Sequence, residues 1–419
     1  MPAPPMKYIA FILAVVCIFS LPCCRSSSNS GAIVTVWAAM NTDEIKALID
    51  IADRFEHETG TSVRIVEIGL FEITTKLELA APAGKGPDVI SISHTSVGTL
   101  ALMGLLEPMD RFSEMLGRYP RPFVEAYRYR GILRGVPLTV ESYGLVVNEN
   151  LIKGVPGTWE ELFEEAAPLT KDTNGDSTPD IYGFLTDPTN FYFTFPFYDA
   201  RGAYIFGDRG TPGTDTSDLG FCTPGGIQAL TLLTDLTGHR RLIPTGITYP
   251  IITDLFSRGR LGMTIYGTYL ISSWEERGVN VGYHELPPFA DGSRGRPLST
   301  LMGLGISAYA GNPRQAEQFI TYLLLPENLR RFFELSGGSL VMADPAVYRD
   351  EDFAKTPYLR TALSIASGSY PFPNDPEGDL VWDATSGAAA AAASGAVSPE
   401  KALCDMQDRL AAVIREMNR

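Results

Sequence analysis

The chain has 419 residues, a length that favours two or three domains over a single hydrophobic core. Hydrophobic residues make up 45% of it and charged residues 20%, which is the composition of a folded globular protein. The formal net charge is −15 and no long basic run occurs, so nucleic acid and anionic membrane surfaces are poor candidate partners. A neutral ligand fits this charge best, with a cation as the alternative.

The first segment, residues 1–23, is predicted to be a signal peptide. Residues 8–21 form an apolar run that is too short for the ~20 apolar residues of a membrane-spanning helix. Cys24 follows, with Leu21 three positions before it, which resembles the lipobox of bacterial lipoproteins. Cys24 is therefore the predicted lipidation site, and the Ser-rich stretch 24–31 is a flexible tether. The alternative is a plain secretory signal with incidental thiols.

The first folded elements are a strand and a capped helix. Residues 33–37 predict the strand, and Asn41 followed by Glu44 is a capping pair that predicts the start of the helix. Gly60 predicts its end. The residues expected on the buried face of this helix are Ile45, Leu48, Ile49, Ala52 and Phe55.

Two further strands are predicted over residues 61–68 and 89–92, with a helical stretch between them. This alternation of strands and amphipathic helices predicts an α/β fold with a largely parallel sheet covered on both faces. Ligands of such sheets bind beyond the carboxyl ends of the strands. The residues just after Trp37 and Ile92 are therefore the first candidates for a binding site.

A long apolar strand is predicted over residues 135–148, with Glu141 in its middle. An ionised carboxylate costs several kcal/mol to bury unless it is hydrogen-bonded. Either the strand crosses open space at Glu141, or a partner meets the carboxylate. Farther along, residues 191–198 form the densest aromatic cluster, and Ser398 with Pro399 predicts the start of a last helix.

Two cysteines, Cys222 and Cys404, remain in the body of the protein. A single pair could form a disulfide in an oxidising compartment, but it is no disulfide framework. Two buried, unpaired cysteines are the expected state.

Taken together, these segments resemble the maltose-binding-protein branch of bacterial extracellular solute-binding proteins, in its lipoprotein form. The likeness runs from residue 33 to near the end of the chain, and the order and spacing of the segments carry it. The segments are the strand ending in Trp37, GKGPDVI (84–90), MGLLEP (103–108), YRG leading to VP (129–137), YGL with Asn148, TWEE (158–161), FSRGRLGM (256–263), and GIS (305–307) before Asn312-Pro313 and Ala316.

The resemblance implies a two-lobed periplasmic-binding-protein fold of type II, in which each lobe is a mostly parallel sheet flanked by helices. The first lobe would comprise residues 32–141 and 285–371, and the second residues 142–284 and 372–419. A sugar would bind in the cleft, and hinge closure would report its presence to an ABC transporter permease. The implied protein is a monomer, exported and lipid-anchored to the cell membrane, facing the periplasm or cell exterior, and not an enzyme.

Several residues match the family's cleft positions. Glu141 falls on the carboxylate that accepts hydrogen bonds from sugar hydroxyls, and the alternative is a carboxylate that serves only the hinge. Tyr192, Tyr269 and Trp382 fall at or beside aromatic positions that stack on sugar rings. For Tyr192, an ordinary core position is an equal alternative.

The chain also departs from the maltose binder. An aromatic residue and an Asp-Arg pair after the Gly-Pro-Asp strand are replaced by Ile92, Thr95 and Ser96, and a charged pair after the first strand is replaced by Asn41 and Thr42. Maltose specificity is therefore not implied. Asn41 and His94 are further candidates for contacts with a smaller or differently hydroxylated sugar.

One loop has features of a calcium site. Asp172, Asn174, Asp176 and Asp180 occupy positions 1, 3, 5 and 9 of an EF-hand-like loop. Ser177 stands where that loop needs glycine. A polar turn built on Asx side chains is the alternative, and no other cofactor is expected.

Other motifs do not point to a function. The glycines of residues 303–308 match the spacing of a dinucleotide fingerprint, but Pro313 follows too soon for the required helix. The four histidines are scattered, so no zinc site is indicated. The rival hypotheses are a secreted glycoside hydrolase with two carboxylates at its site, and the same fold binding a phosphate ester, a polyamine or a metal complex.

Overall fold

A computed structural model describes residues 32–70, 72–176, 178–208 and 214–418. The predicted signal peptide 1–23, the lipidation site Cys24 and the tether 24–31 lie outside these residues. None of the helices in the described ranges combines the length and apolarity needed to cross a membrane.

Within those ranges the chain alternates between strands and α-helices, as predicted for an α/β protein. The strands are β1 (Ile33–Ala38), β2 (Ser62–Glu67), β3 (Val89–Ser93), β4 (Arg128–Tyr129), β5 (Ile132–Leu133), β6 (Val136–Glu141), β7 (Gly144–Asn148), β8 (Tyr182–Leu185), β9 (Tyr204–Asp208), β10 (Thr214–Gly220), β11 (Leu261–Tyr266), β12 (Val281–His284), β13 (Leu298–Ile306) and β14 (Tyr370–Pro371). The helices are α1 (Thr42–Thr59), α2 (Ile73–Ala80), α3 (Val97–Leu102), α4 (Arg121–Glu125), α5 (Trp159–Leu169), α6 (Phe191–Asp199), α7 (Pro224–Thr237), α8 (Tyr249–Ser257), α9 (Ile271–Glu276), α10 (Pro313–Leu323), α11 (Pro326–Leu335), α12 (Asp350–Lys355), α13 (Tyr358–Ser367), α14 (Asp379–Ala393) and α15 (Pro399–Met417).

The first helix forms as its sequence predicts. The side-chain oxygen of Asn41 accepts hydrogen bonds from the backbone N–H groups of Asp43 and Glu44, at 2.9 and 3.0 Å. The Glu44 carboxylate in turn accepts from the Asn41 N–H at 2.8 Å, which completes the capping box. Gly60 ends the helix at φ +74°, a conformation that favours glycine. The prediction for Ile49 is wrong, because this side chain is 42% exposed on the edge of the apolar face.

The first lobe is built on a sheet in which β2, β1, β3 and β13 follow one another, with β6 and β14 also paired to β13. Strands β1, β2 and β3 are parallel, as predicted. Strand β13 runs antiparallel to both β3 and β6, because it enters this sheet on the way back from the second lobe. The sheet is therefore mixed where a mostly parallel one was expected.

The second lobe contains the sheet β12-β7-β11-β8. Its pairs β12–β7 and β7–β11 are antiparallel, and only the β11–β8 pair within it is parallel. The expectation of a mostly parallel sheet is wrong for this lobe. A separate two-stranded ribbon of β9 and β10 lies outside both main sheets.

The dinucleotide-like glycines are strand residues. Gly303 lies inside β13, and a Cβ added there would come within 2.2 Å of the Val136 carbonyl oxygen and 2.5 Å of the Tyr127 hydroxyl. Glycine is needed here for close packing between neighbouring strands. The match to a nucleotide-binding turn is thus coincidental, as the sequence suggested.

Three segments of chain connect the two lobes. The strand predicted over residues 135–148 is interrupted at Ser142 and Tyr143, where the chain leaves β6 for β7. Glu141 is therefore the last residue of β6, where the sequence predicted the middle of one strand. The chain returns between β12 and β13, and it crosses a third time after β14, at Phe372.

The return segment, residues 285–297, packs on the second lobe. Arg296 and Arg201 form ion pairs with Asp199 and Asp291, at 2.7 and 2.5 Å, and the N–H of Trp159 bonds the Pro288 carbonyl at 2.9 Å. These contacts hold the segment against the second lobe up to β13, which begins at Leu298. Helix α13 also contacts the second sheet through the edge-on pair of Tyr283 and Tyr358.

A disulfide joins Cys222 to Cys404, with 4.8 Å between their Cα atoms. The expectation of two unpaired cysteines is wrong. The side-chain oxygen of Gln407 accepts from the N–H groups of Phe221 and Cys222 at 2.9 and 2.7 Å, which brings α15 against the end of β10. The C-terminal segment is thus fastened to the second lobe.

The aromatic cluster of residues 191–198 is helix α6, and most of it is core. Phe193, Phe195 and Phe197 are at most 6% exposed, and Asn190 caps the helix through its side-chain oxygen. Tyr192 is the exception, since its side chain is only partly buried.

Candidate ligand-binding cleft

A cavity of about 900 Å³ lies between the two lobes. On the first lobe it is lined by the residues that follow β1, β2 and β3, which include Asn41, Gly69 and Thr95. The prediction that a site lies at the carboxyl ends of these strands agrees with this position. The opposite wall consists of residues Thr268, Tyr269, Ser272, Tyr283, Tyr358 and Asp379.

Glu141 stands in the cleft where the chain leaves the first lobe. It is exposed to the cavity, and its carboxylate accepts no hydrogen bond from the described part of the chain. The surrounding protein keeps water away from this carboxyl, which raises its pKa above the ordinary value. The negative charge of the nearby Glu44 raises the pKa further. The alternative role, in which Glu141 serves only as a hydrogen-bond acceptor at the hinge, has no donor among the residues that the structure describes.

Three cleft carboxylates were missed in the sequence: Glu44, Glu67 and Asp379. Glu44 sits in the first turn of α1, and burial raises its pKa against the opposing effect of the Asn41 N–H. Asp379 begins α14 on the other lobe, and burial raises its pKa as well. The position of Glu44, directly after the first strand, was a usable signal, whereas Asp379 is brought in by the long-range fold.

Tyr269 lines the cleft, as the family resemblance implied. Its side chain is 57% exposed, and its ring packs on Tyr266 with 4.9 Å between centroids. One face of the ring is thus supported by protein, and the rest of it is open to the cavity. Such a ring can pack against the apolar C–H face of a sugar.

Tyr192 and Trp382 stand beside the cavity. The Tyr192 hydroxyl lies close to Thr300, which pairs with Glu141 between β13 and β6. The Trp382 ring lies 6.3 Å from that of Tyr192, one helical turn beyond Asp379. The structure brings these rings to the hinge end of the cleft, while neither belongs to the cavity wall.

The expectation for His94 needs correction, whereas Asn41 lies on the cavity wall. His94 is fully buried, with Nε2 2.8 Å from the Phe372 carbonyl oxygen and Nδ1 accepting from the Leu301 N–H at 3.0 Å. Because both ring nitrogens are engaged, this side chain has no free group to offer a ligand. Asn41 uses its side-chain oxygen for the helix cap and lines the cavity.

The loop of Asp172, Asn174, Asp176 and Asp180 satisfies its own hydrogen bonds. The Asp180 carboxylate accepts from the N–H and hydroxyl of Thr173, at 2.8 and 2.7 Å, and from the Asn174 amide at 2.9 Å. In the described ranges, no group of three or more His, Cys, Asp or Glu side chains could hold a metal ion. These hydrogen bonds are those of a polar turn, and the prediction of a calcium ion in this loop stays a prediction.

Comparison with known proteins agrees with this architecture. The profile of the family described as bacterial extracellular solute-binding protein matches residues 50–361. A galactooligosaccharide-binding protein of Bacillus subtilis is 25% identical over 410 residues, covering 95% of this chain and 94% of that protein. A maltodextrin-binding protein of the same organism is 26% identical over 421 residues, covering 98% of each.

A similar solved structure is that of a cyclo/maltodextrin-binding protein complexed with maltotetraose. It superposes with a TM-score of 0.85 at 27% identity, covering 93% of this chain and 99% of that one. The predicted two-lobed fold is thereby confirmed. The match over residues 50–361 shows that this chain belongs to the bacterial extracellular solute-binding protein family.

Proposed function

We propose that this chain is the substrate-binding protein of an ABC importer, and that it captures a sugar or oligosaccharide between its lobes and delivers it to the membrane permease. The observation that carries the proposal is the interlobe cavity of about 900 Å³, which joins hydroxyl, carboxylate and tyrosine side chains from both lobes. Oligosaccharide binders among the related proteins support the same substrate class.

The chemistry of the cavity suits a hydroxyl-rich molecule. A carboxylate such as Glu141 offers about four acceptor sites, and the hydroxyls of Thr95 and Thr268 can both donate and accept. Tyr269 supplies a supported ring face for the apolar side of a pyranose. The volume lies at the upper end of the ~300–1,000 Å³ range of small-molecule sites, which fits more than one sugar ring.

Two hydrogen bonds join the chain segments that form the hinge. The Ser142 hydroxyl donates to the Leu298 carbonyl at 2.9 Å, and the Leu298 N–H donates to the Tyr143 hydroxyl at 2.9 Å. These bonds tie the outgoing and returning segments together at the point where both change lobe. Rotation about so short a hinge would bring Tyr269 towards the first lobe and enclose the sugar.

Export and anchoring follow from the N-terminal sequence. Cleavage before Cys24 would leave a cysteine available for lipidation, with a Ser-rich tether before the first strand. A tethered protein stays close to its permease and can still reorient to dock. Mass spectrometry of the mature protein, before and after Cys24→Ala, tests this part of the proposal.

Isothermal titration with neutral oligosaccharides tests the binding function. The panel would contain maltotriose, cellotriose and a galactotriose, each also incubated with the protein in a reducing-end assay. Binding heat without turnover is the expected result. Turnover would indicate a glycoside hydrolase, and silence to every saccharide, those with amines included, would contradict the proposal.

Matched tyrosine variants locate the binding in the cleft. Tyr269→Ala is expected to weaken binding about tenfold or more, because it removes a ring that stacks on the sugar. Tyr309→Ala is the control, since Tyr309 is 48% exposed and does not line the cavity. Equal effects of the two substitutions would place the sugar elsewhere.

A further inference from the structure

The cleft carries charge of one sign only. Four carboxylates line it, two of them at the ends of β2 and β6 and one at the start of each of α1 and α14. No lysine, arginine or histidine occurs among the described lining residues. The four are Glu44, Glu67, Glu141 and Asp379.

These charges are not neutralised by neighbouring cations. Among the described residues, none of the four takes part in an ion pair, and the lysine closest in sequence to Glu67, Lys76, is paired with Glu72 at 2.7 Å. The Glu44 carboxylate has the N–H of Asn41 as its hydrogen-bond donor, and Glu141 has none within the described chain. Among the described residues, the acidic groups of the empty cavity therefore have no compensating base.

A neutral sugar can donate hydroxyl hydrogen bonds to these carboxylates, but it would leave their charge uncompensated. Lobe closure expels water and lowers the local dielectric, which strengthens the repulsion between Glu44 and Glu141. In the empty cleft the loss of water raises the pKa of both carboxyls, and the charge of Glu44 raises that of Glu141 further. A positive charge on the ligand would reverse the sign of this effect.

A bare metal ion does not meet the need. In the ranges that the structure describes, no three acidic or histidine side chains are close enough to coordinate one ion. The carboxylates are instead distributed around a cavity of about 900 Å³. A cationic group carried by a larger molecule, placed within reach of Glu44 and Glu141, fits this distribution.

We infer that the ligand is an amino sugar, or an oligosaccharide with at least one unacylated amine, and that Glu44 and Glu141 select it over its neutral counterpart. This inference rests on the proposed sugar-binding function and narrows its substrate class. The ammonium group would donate to the two carboxylates as a charge-assisted hydrogen-bond donor. The remaining hydroxyls and ring faces would be held by the neutral part of the cleft.

Three trisaccharides that differ only in the group on carbon 2 of each ring provide the test. These are the β-1,4-linked trimers of glucosamine, of N-acetylglucosamine and of glucose, titrated at pH 7 with maltotriose as a neutral sugar of another linkage. We expect the glucosamine trimer to bind at least about tenfold more tightly than both other β-1,4 trimers, the gain typical of a charge-assisted hydrogen bond.

Glutamine variants identify the residues responsible. Glu44→Gln and Glu141→Gln keep the shape and an acceptor oxygen, so each is expected to remove most of the advantage of the amine. Glu164→Gln removes the same charge from an exposed position of α5 outside the cavity and is expected to retain the advantage. Equal losses in all three variants would show a general charge effect and overturn the assignment of these two residues.

The outcomes separate this inference from the proposed function. If maltotriose, the acetylated trimer or the glucose trimer binds as tightly as the glucosamine trimer, the inference is overturned and sugar binding stands. If no saccharide binds, sugar binding itself fails, and the inference fails with it.

Discussion

The ring of Trp382 lies flat on the ring of Phe372, with 4.1 Å between centroids and 18° between planes. The carbonyl of Phe372 accepts a hydrogen bond from His94 of the first lobe. The third crossing of the chain is thus held by a side chain of each lobe, directly beside the cleft. This relationship gives Trp382 a structural role in addition to the contact with sugar that the sequence suggested.

Trp382→Ala is predicted to lower the free energy of unfolding by about 2 kcal/mol, less than for a fully buried tryptophan because the ring is partly exposed. It should also weaken sugar binding, since the hinge end of the cleft loses its support. Urea denaturation and titration with oligosaccharide measure the two effects. Trp382→Phe keeps a ring on Phe372 and is expected to recover most of the stability. An unchanged stability in Trp382→Ala would refute the stacking role.

His94 is predicted to make the protein sensitive to mild acid. Burial lowers its pKa from 6.5 to about 4, so the unfolded chain binds a proton in this range that the folded chain does not. Stability is then fully present above pH 6.5 and is lost as the pH falls towards 4. From pH 7 to pH 5 the loss is about 2 kcal/mol.

The comparison with His94→Gln isolates this effect, because all other titrating groups are shared. Urea denaturation at the two pH values should show a smaller loss in the variant than in the parent protein. The same loss in both would assign the acid sensitivity to other groups.

Glu141→Gln is predicted to stabilise the empty protein at pH 7. A carboxyl whose folded pKa is raised binds its proton more tightly in the folded state, so stability falls as the pH rises from its ordinary pKa through the raised one. Removing the charge abolishes this loss of stability. The expected gain in the free energy of unfolding is less than about 1 kcal/mol, because water reaches the side chain. Thermal denaturation at pH 7 measures the gain, and a lower midpoint in the variant would mean that the carboxylate has a stabilising partner.

The disulfide is predicted to stabilise the second lobe. Replacing Cys222 and Cys404 together by serine should cost about 2–4 kcal/mol, because the unfolded chain regains the freedom that the long closed loop had removed. The parent protein in reducing agent should approach the stability of the double variant. The double variant serves as the control, since its stability should not respond to reducing agent. Equal stability of the oxidised and the reduced parent protein would contradict a stabilising role of the disulfide.

Local signals in the sequence predicted local features correctly. The capping pair of Asn41 and Glu44 gave the start of α1, and the position after the first strand gave one wall of the cleft. Glu141 stood out because a carboxylate in an apolar strand needs a reason. That reason is its place at the edge of an open cavity.

Features that depend on distant parts of the chain were not predictable. The direction of β13 is set by its return from the second lobe, which no short pattern records. The pairing of Cys222 with Cys404 depends on the docking of α15, and the burial of His94 depends on acceptors and donors from residues 301 and 372. Each is a long-range contact, and a single sequence carries little information on such contacts.

Small-angle X-ray scattering of the protein with and without saturating oligosaccharide tests the central claim most directly, since that claim is closure of two lobes on a hydroxyl-rich ligand. The account predicts that the radius of gyration falls when a saccharide that gives binding heat is added, and that Tyr269→Ala requires more of it for the same change. Scattering profiles that stay identical with and without such a saccharide would contradict it.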